Sequence, residues 1–507
     1  MNAVSTVMKR LQVLPLVALA VFFVFPVITM LIRFVRPHDL VTTLTDSSLA
    51  RIWWFTTWQA ALSTMLTVLV ALPITWAVSR YSFPLSRTIV GIVTVPFFMP
   101  AVVIATGVKA ILPNSPVIAI VWAHVVFNVA VIVRIVGPRW ALMDTTMEDT
   151  AADLGATPLR TFRLIVFPHI RDALRNASAI AFLFCFSSFG VVAILGGISR
   201  RTIESEIFTQ AVNLGDTRTA ISLSVLQAIV ILVIFTVGTR RTSPTLATAD
   251  ISETPREVPR GHRRLVLLAM FIPLAIVTSP LVAVIIRSFT VNNSLTLDGY
   301  RWLFNGTTEA IGISATSTLL TSVTFAITCA FLTTTAALIV ACARNDSSLV
   351  SALTAIPLMV SAVTLGLGLI VAFDEPPYDW RSERWLIPII HFVVALPLAL
   401  RTLDPVVRSL PTSLTQAATS LGASPWRTWR LIELPLLKPA LARAAGLSAA
   451  ISLGEFGATS FLTRSDSTTL PIAINHLLGH PGTQLNQAAF ALAALCVVVF
   501  TAALRLA

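Results

Sequence analysis

Leu154–Pro168 reads LGATPLRTFRLIVFP and Leu421–Pro435 reads LGASPWRTWRLIELP, with ten of the fifteen positions identical. The glycines Gly155 and Gly422 lie 267 residues apart, and the same spacing carries His124 onto His391, Arg134 onto Arg401, Pro138 onto Pro405 and Phe189-Gly190 onto Phe456-Gly457. The chain is therefore a tandem duplication. Each copy is polar and basic inside a sequence that is otherwise mostly apolar, so the repeat marks two equivalent soluble surfaces on one face of a membrane protein. Such surfaces are suited to being gripped by a partner.

Apolar residues make up 55% of the chain and charged residues 12%, about half the charged share of a water-soluble domain. Weakly charged runs of about 20 residues recur, the length a helix needs to cross roughly 30 Å of hydrocarbon. They fall at roughly 11–32, 56–79, 88–111, 117–137, 173–197, 219–238, 265–287, 311–342, 348–373, 386–403, 439–463 and 484–505, which predicts twelve spans, six per half. The first run is too long, and its Pro15 and Pro26 too far from a small-residue cleavage pattern, to read as a removable signal peptide.

The net charge of +12 has a membrane explanation that competes with nucleic-acid binding and beats it. If the chain starts in the cytoplasm, 24 of its 36 Lys and Arg fall on the cytoplasmic side, together with both termini and both copies of the repeat. Cys185, Cys329, Cys342 and Cys496 lie singly in apolar spans, as small core residues do, with no spacing that suggests a metal or disulfide site. Gly238–Arg264 is rich in Pro, Thr and Arg and nearly free of aliphatic side chains. It reads as a cytoplasmic linker, dividing the chain into a first transmembrane domain (1–238), a linker (239–264) and a second transmembrane domain (265–507).

Within the repeat, Gly155 and Gly422 are suited to ending one helix, while Thr157-Pro158 and Ser424-Pro425 supply a capping hydroxyl and a first-turn proline to the next. The expected shape is helix, tight turn, helix. Ala151, Ala152 and Ala156 in one copy and Ala417, Ala418 and Ala423 in the other suggest a small-residue face that another protein's backbone could approach closely.

These two segments resemble the EAA loop of ATP-binding-cassette (ABC) importer permeases, in which Glu-Ala-Ala is followed by three residues, a glycine, nine residues and Ile-x-Leu-Pro. Asp149, Thr150, Ala151, Gly155, Ile165, Phe167 and Pro168 fall on that pattern in the first copy, and Gln416, Ala417, Ala418, Gly422, Ile432, Leu434 and Pro435 in the second. The glutamate is replaced in both. The resemblance implies an all-α membrane protein of the type I ABC importer permease (MetI-like) architecture, with two duplicated six-helix halves. It also implies ATPase coupling through Asp149, Ala151, Gly155, Pro168, Gln416, Ala418, Gly422 and Pro435. The partners it implies are a cytoplasmic ABC ATPase dimer, an extracytoplasmic solute-binding protein and the lipid bilayer, with no nucleic acid. Within that superfamily the stretches 55–87, 123–134 and 182–212 are most similar to thiamine permeases. Thiamine or a phosphorylated form is the expected solute, and ferric iron or polyamines are the alternatives.

The three lysines, Lys9, Lys109 and Lys438, stand in no GxxxxGK[ST] frame, so ATP is expected to be hydrolysed by a separate subunit, with no cofactor and no metal held by this chain. Polar groups at membrane depth are the candidates for a solute pathway. Glu455, its counterpart Ser188 in the first half, and Trp58 are the residues assigned to it, each set against a structural role as a hydrogen-bonded strut or an interfacial anchor. Glu204 and Glu206 fit either attraction of a cationic solute or ordinary loop charge. His124 and His391 occupy equivalent positions and fit structural hydrogen bonds better than metal ligation. A gradient-driven secondary transporter would also show duplicated halves, but its coupling needs more intramembrane charge than Glu455 supplies. The charge partition predicts that the linker around Thr248 is cut by protease from the cytoplasmic side alone; cleavage there in sealed, right-side-out spheroplasts would reverse the topology.

Overall fold

The computed structural model describes residues 3–505 apart from 84–85, 198, 239–255, 258–260, 262, 292–293, 306–307, 309–310, 344–346, 375–378 and 382. Most of the expected linker, Thr248 included, lies outside the described residues. The fold is almost wholly helical. Among the described residues four two-residue strands form two minimal ladders, Tyr81–Ser82 with Arg256–Glu257 and Thr290–Val291 with Ser294–Leu295.

Among the described residues nine helices are long and apolar enough to cross a membrane: Thr6–Phe34, Ser47–Arg80, Pro116–Ala141, Thr217–Thr236, Arg264–Ser288, Ala315–Ala343, Leu386–Arg408, Pro425–Gly454 and Thr483–Ala503. A tenth crossing is counted if Thr88–Phe98 and Ala101–Ile111, bent by 100°, make one span. Every one of the twelve expected runs is helical, yet four of them are broken. The run at 88–111 kinks at Pro100. The run at 348–373 passes through a 3-10 turn, Ile356–Met359, and restarts at Ala362. The run at 173–197 stops at Phe186 and restarts at Gly190, and the run at 439–463 stops at Gly454 and restarts at Thr459. Proline in the first two explains the break, because its ring clashes with the preceding turn and it has no N–H to give.

The two halves are interlocked through their first helices. Arg263–Ser288 opens the second half but packs on Ala101–Ile111 and Ser47–Arg80 of the first, while Phe25–Phe34 of the first half packs on Ala362–Ala372 of the second. Small residues make both contacts possible. A Cβ on Gly107 would lie 2.1 Å from the Pro280 carbonyl oxygen, and one on Gly368 would lie 3.2 Å from Met30 Sδ and 3.4 Å from Pro26 Cβ. Close backbone approach over small residues is how helices associate in lipid, where the hydrophobic effect gives no preference between a neighbouring helix and a lipid tail.

Helix starts follow their sequences. Asp46 Oδ1 accepts hydrogen bonds from Ser48 N at 2.7 Å and Ser48 Oγ at 2.6 Å, and these bonds hold the Asp46 carboxyl below its ordinary range. Gly107→Ala should destabilise the detergent-solubilised protein by about 1–3 kcal/mol through overpacking against Pro280. Gly91→Ala, where a Cβ meets nothing within 4 Å, should not destabilise it. Equal thermal midpoints for the two variants would refute the close contact.

Candidate functional site

The two repeat copies fold identically. Thr146–Asp153 and Thr412–Ser420 are short helices, each closed by a glycine in the left-handed region, Gly155 at φ 78° and Gly422 at φ 77°. Gly155 N donates to Ala152 O at 2.9 Å and Ala156 N to Ala151 O at 2.9 Å; Gly422 N donates to Thr419 O and Ala423 N to Ala418 O, both at 3.0 Å. This paired closure ends a helix with its last carbonyls satisfied, and glycine adopts the required φ without a Cβ penalty. Thr157 Oγ1 then accepts from Arg160 N at 3.4 Å and Ser424 Oγ from Arg427 N at 3.3 Å, with Pro158 and Pro425 in the first turn.

Each new helix widens into a π turn, Phe162–Val166 and Trp429–Glu433, just before Pro168 and Pro435. The proline ring excludes the carbonyl four residues back, and the wide turn accommodates that exclusion. Pro168 and Pro435 therefore shape the loop from behind.

The expected small-residue face is divided. Ala152 and Ala417 are exposed, whereas Ala151 and Ala418 turn inward as anchors. Asp149 and Gln416 are exposed. What the loops present outward is apolar: Leu154 is 83% exposed and its counterpart Leu421 87%, beside Leu159 in one loop and Trp426 in the other. The repetition of Leu154 as Leu421 was visible in the sequence, but which way those leucines point is decided by the glycine turn.

A cavity of about 500 Å³ lies between the halves. Its lining comes from equivalent positions 267 residues apart: Phe189 and Phe456, Ala193 and Ser460, Gly197 and Arg464, Arg201 and Thr468, Ser205 and Ile472, Phe208 and Asn475, Thr209 and His476. The cavity therefore sits on the pseudo-twofold axis. The Phe189 and Phe456 rings stack across that axis with centroids 5.2 Å apart and planes at 19°. The glycine after each phenylalanine is confined, since a Cβ on Gly190 would lie 3.0 Å from Ala101 Cβ and one on Gly457 would lie 3.3 Å from Ala362 Cβ. The helices flanking the cavity start on matched caps: Thr56 Oγ1 accepts from Ile203 N at 3.1 Å, and Ser322 Oγ from Leu470 N at 2.8 Å.

No described lining residue is acidic. Arg201 is paired with Glu206 at 3.2 Å. The Arg464 guanidinium donates to the carbonyls of Thr463 at 3.0 Å and Phe461 at 3.4 Å, and among the described residues no carboxylate ion-pairs with it. Among the described residues the cavity thus presents one cation without a carboxylate partner, beside three phenyl rings.

The sequence-assigned pathway residues fall elsewhere. Glu455 precedes Phe456 but turns away from the cavity, accepting from Ala458 N at 2.9 Å and Thr459 N at 2.8 Å and from the Thr459 hydroxyl, with His391 Nε2 at 3.6 Å. It caps the short Thr459–Leu462 helix. Ser188 is half-buried in the equivalent break of the first half, and Trp58 is 41% exposed beside Phe55. Glu204 is fully buried, accepting from Gln227 Nε2 at 2.8 Å and from Ser361 Oγ of the second half at 3.0 Å. His391 bridges Ser452 at 2.7 Å and Thr459 at 2.9 Å, and His124 meets Ser63 at 3.3 Å.

Residues 347–507 match the family model of the binding-protein-dependent transport system inner membrane component. Residues 347–507 are thus similar to a binding-protein-dependent permease domain. Over most of its length the chain is similar to thiamine transport system permease proteins: 25% identical to that of Brucella abortus (strain 2308) over 459 residues, covering 86% of this chain and 83% of that protein. It is 24% identical to that of Salmonella typhimurium over 487 residues, covering 90% and 89%. A putative 2-aminoethylphosphonate transport system permease protein of Salmonella typhimurium is 35% identical over 119 residues, 24% of this chain and 45% of that protein. The permease is a multi-pass inner-membrane protein of MetI-like architecture, and its first half repeats the second.

Proposed function

We propose that this permease is the membrane subunit of an ABC importer that moves thiamine, in a phosphorylated form in particular, into the cytoplasm. The observation that carries the coupling role is the pair of surface loops with the same glycine closure, capping hydroxyl and wide turn. Two identical knobs at symmetric positions fit a symmetric dimer, and a separate ATPase dimer supplies one. Binding of ATP closes that dimer, draws on both loops and rocks the halves between inward-open and outward-open states. An extracytoplasmic binding protein delivers the solute to the axial cavity. Both termini and both loops then face the cytoplasm. The transmembrane domains are residues 1–238 and 265–507, joined by the linker 239–264.

The solute reading rests on the thiamine-transport relatives and on the charge of the cavity. A thiazolium cation alone finds no carboxylate among the described lining residues to offset Arg464, and a polyamine would be repelled. A phosphate ester reverses the sign. Its ring stacks on Phe189, Phe456 or Phe208 while its phosphate pairs with Arg464.

Gly155→Trp or Gly422→Trp should leave the protein in the membrane but abolish ATPase capture and stimulation, because the left-handed turn is lost; variants that still co-purify with the ATPase and transport normally would sink the docking assignment. Arg464→Gln, assayed in proteoliposomes carrying the cognate ATPase and binding protein, should lower thiamine diphosphate uptake about tenfold while changing free thiamine uptake little. An equal fall for both solutes would remove the anionic subsite and leave the importer standing.

A further inference from the structure

The two loops are alike in fold, and among the described residues their contacts to the membrane helices differ. Arg80 is the last residue of the Ser47–Arg80 helix and is only 5% exposed. Its Nη1 donates to Met143 O at 2.8 Å and its Nη2 to Glu148 Oε1 at 2.5 Å. Met143 lies three residues before the first loop helix and Glu148 lies within it. The guanidinium thus clamps that helix at its entry and at its first turn, through one buried bond and one part-buried bond between full charges, the strongest class of hydrogen bond a side chain makes. Among the described residues the second loop shows no such clamp. Leu410 and Thr415 stand at the positions equivalent to Met143 and Glu148, and the Thr415 hydroxyl bonds back to Thr412 O of its own helix at 2.7 Å. Instead the Ala3–Leu11 helix packs against the second loop at Pro425–Thr428.

The residues after Arg80 give the clamp a direction. Tyr81 and Ser82 pair in parallel with Arg256 and Glu257, a few residues before the Arg263–Ser288 helix. That helix belongs to the second half yet packs on the first. A pull on the first loop therefore reaches, through one buried side chain and one strand pairing, the junction where the halves interlock. We propose that Arg80 is a positioning residue that converts displacement of the first loop into movement of the two halves. The inference rests on the importer reading proposed for this chain, in which these loops bind an ATPase.

The test uses the full permease co-purified with its ATPase and reconstituted with the binding protein. The readout is solute taken up per ATP hydrolysed, normalised to the ATPase captured. Glu148→Gln keeps a hydrogen-bonding side chain at a partly exposed position and removes only the charge. It and Arg80→Gln should each lower the ratio about tenfold, the size of a typical coupling energy between sites. The double variant should fall no further, because both changes break one contact. Arg80→Lys, which can still pair with Glu148, should recover part of the ratio. A ratio unchanged in Glu148→Gln, or single effects that multiply in the double variant, would overturn the role. Loss of captured ATPase in step with loss of uptake would also overturn it, by making Arg80 part of docking instead. A wild-type chain that captures no ATPase would overturn the importer reading itself, an outcome that the unsubstituted arm reports separately.

Discussion

A backbone break inside a membrane leaves N–H and C=O groups that hydrocarbon cannot satisfy, and the centre of this permease is organised by how four such breaks are met. At Ser361 the hydroxyl accepts from Thr364 N at 3.1 Å, capping the restarted helix, and donates to Glu204 of the other half at 3.0 Å. At Glu455 the carboxylate accepts from Ala458 N and Thr459 N. Where Phe167–Phe186 ends, Gln59 Nε2 donates to Cys185 O at 3.1 Å. The break at Pro100 needs one donor fewer, because proline has none. These ends converge on the axis, and the Phe189–Phe456 stack lies among them. Irregular backbone at membrane depth is tolerated where it is buried in protein or lines a cavity, and here it does both.

Duplication supplied the scaffold and divergence supplied the chemistry. Across the axial cavity only the phenylalanine pair is preserved between halves; the other equivalent positions differ in size or charge, as Gly197 against Arg464 and Phe208 against Asn475 show. At the loops the reverse holds. Glycine φ, capping hydroxyl and wide turn match within a degree or a tenth of an ångström. On the importer reading proposed above, loops that meet a symmetric partner are constrained to stay symmetric, whereas a cavity that meets an asymmetric solute is not.

The sequence made the duplication, the membrane class and the loop shape legible, because each depends on local composition or on residues whose backbone preferences are strong. Gly155, Thr157 and Pro158 prescribe their own geometry wherever they occur. Hydropathy located every helical run but could not tell a straight span from a broken one: 348–373 is as apolar as its neighbours, and its break depends on Pro357 and Ser361 meeting a partner from the other half. The cavity was illegible for a related reason. Its lining is assembled from loop and half-helix positions in both halves, so Arg464 carries no local sign that it faces Phe189. Glu455 drew attention as a lone acid at membrane depth, yet its oxygens are consumed by the turn after it. An intramembrane acid can serve the backbone as well as a solute, and hydrogen-bond partners three and four residues away are what separate the two.

The symmetric and asymmetric parts meet in the interlocked first helices. Arg263–Ser288 cannot move with the second half without dragging on Ala101–Ile111, since Gly107 leaves no space between that helix and Pro280. Phe25–Phe34 is bound in the same way to Ala362–Ala372. Each half therefore carries one helix of the other, and a rocking motion must slide these contacts or rotate about them. The half-helices that begin at Ala101 and Ala362 are the ones that press on Gly190 and Gly457 beside the phenylalanine stack. Displacement of either swapped helix is transmitted to the stack through a single layer of close-packed small residues, which have little freedom to absorb it. The floor of the cavity and the junction of the halves are thus parts of one mechanical unit.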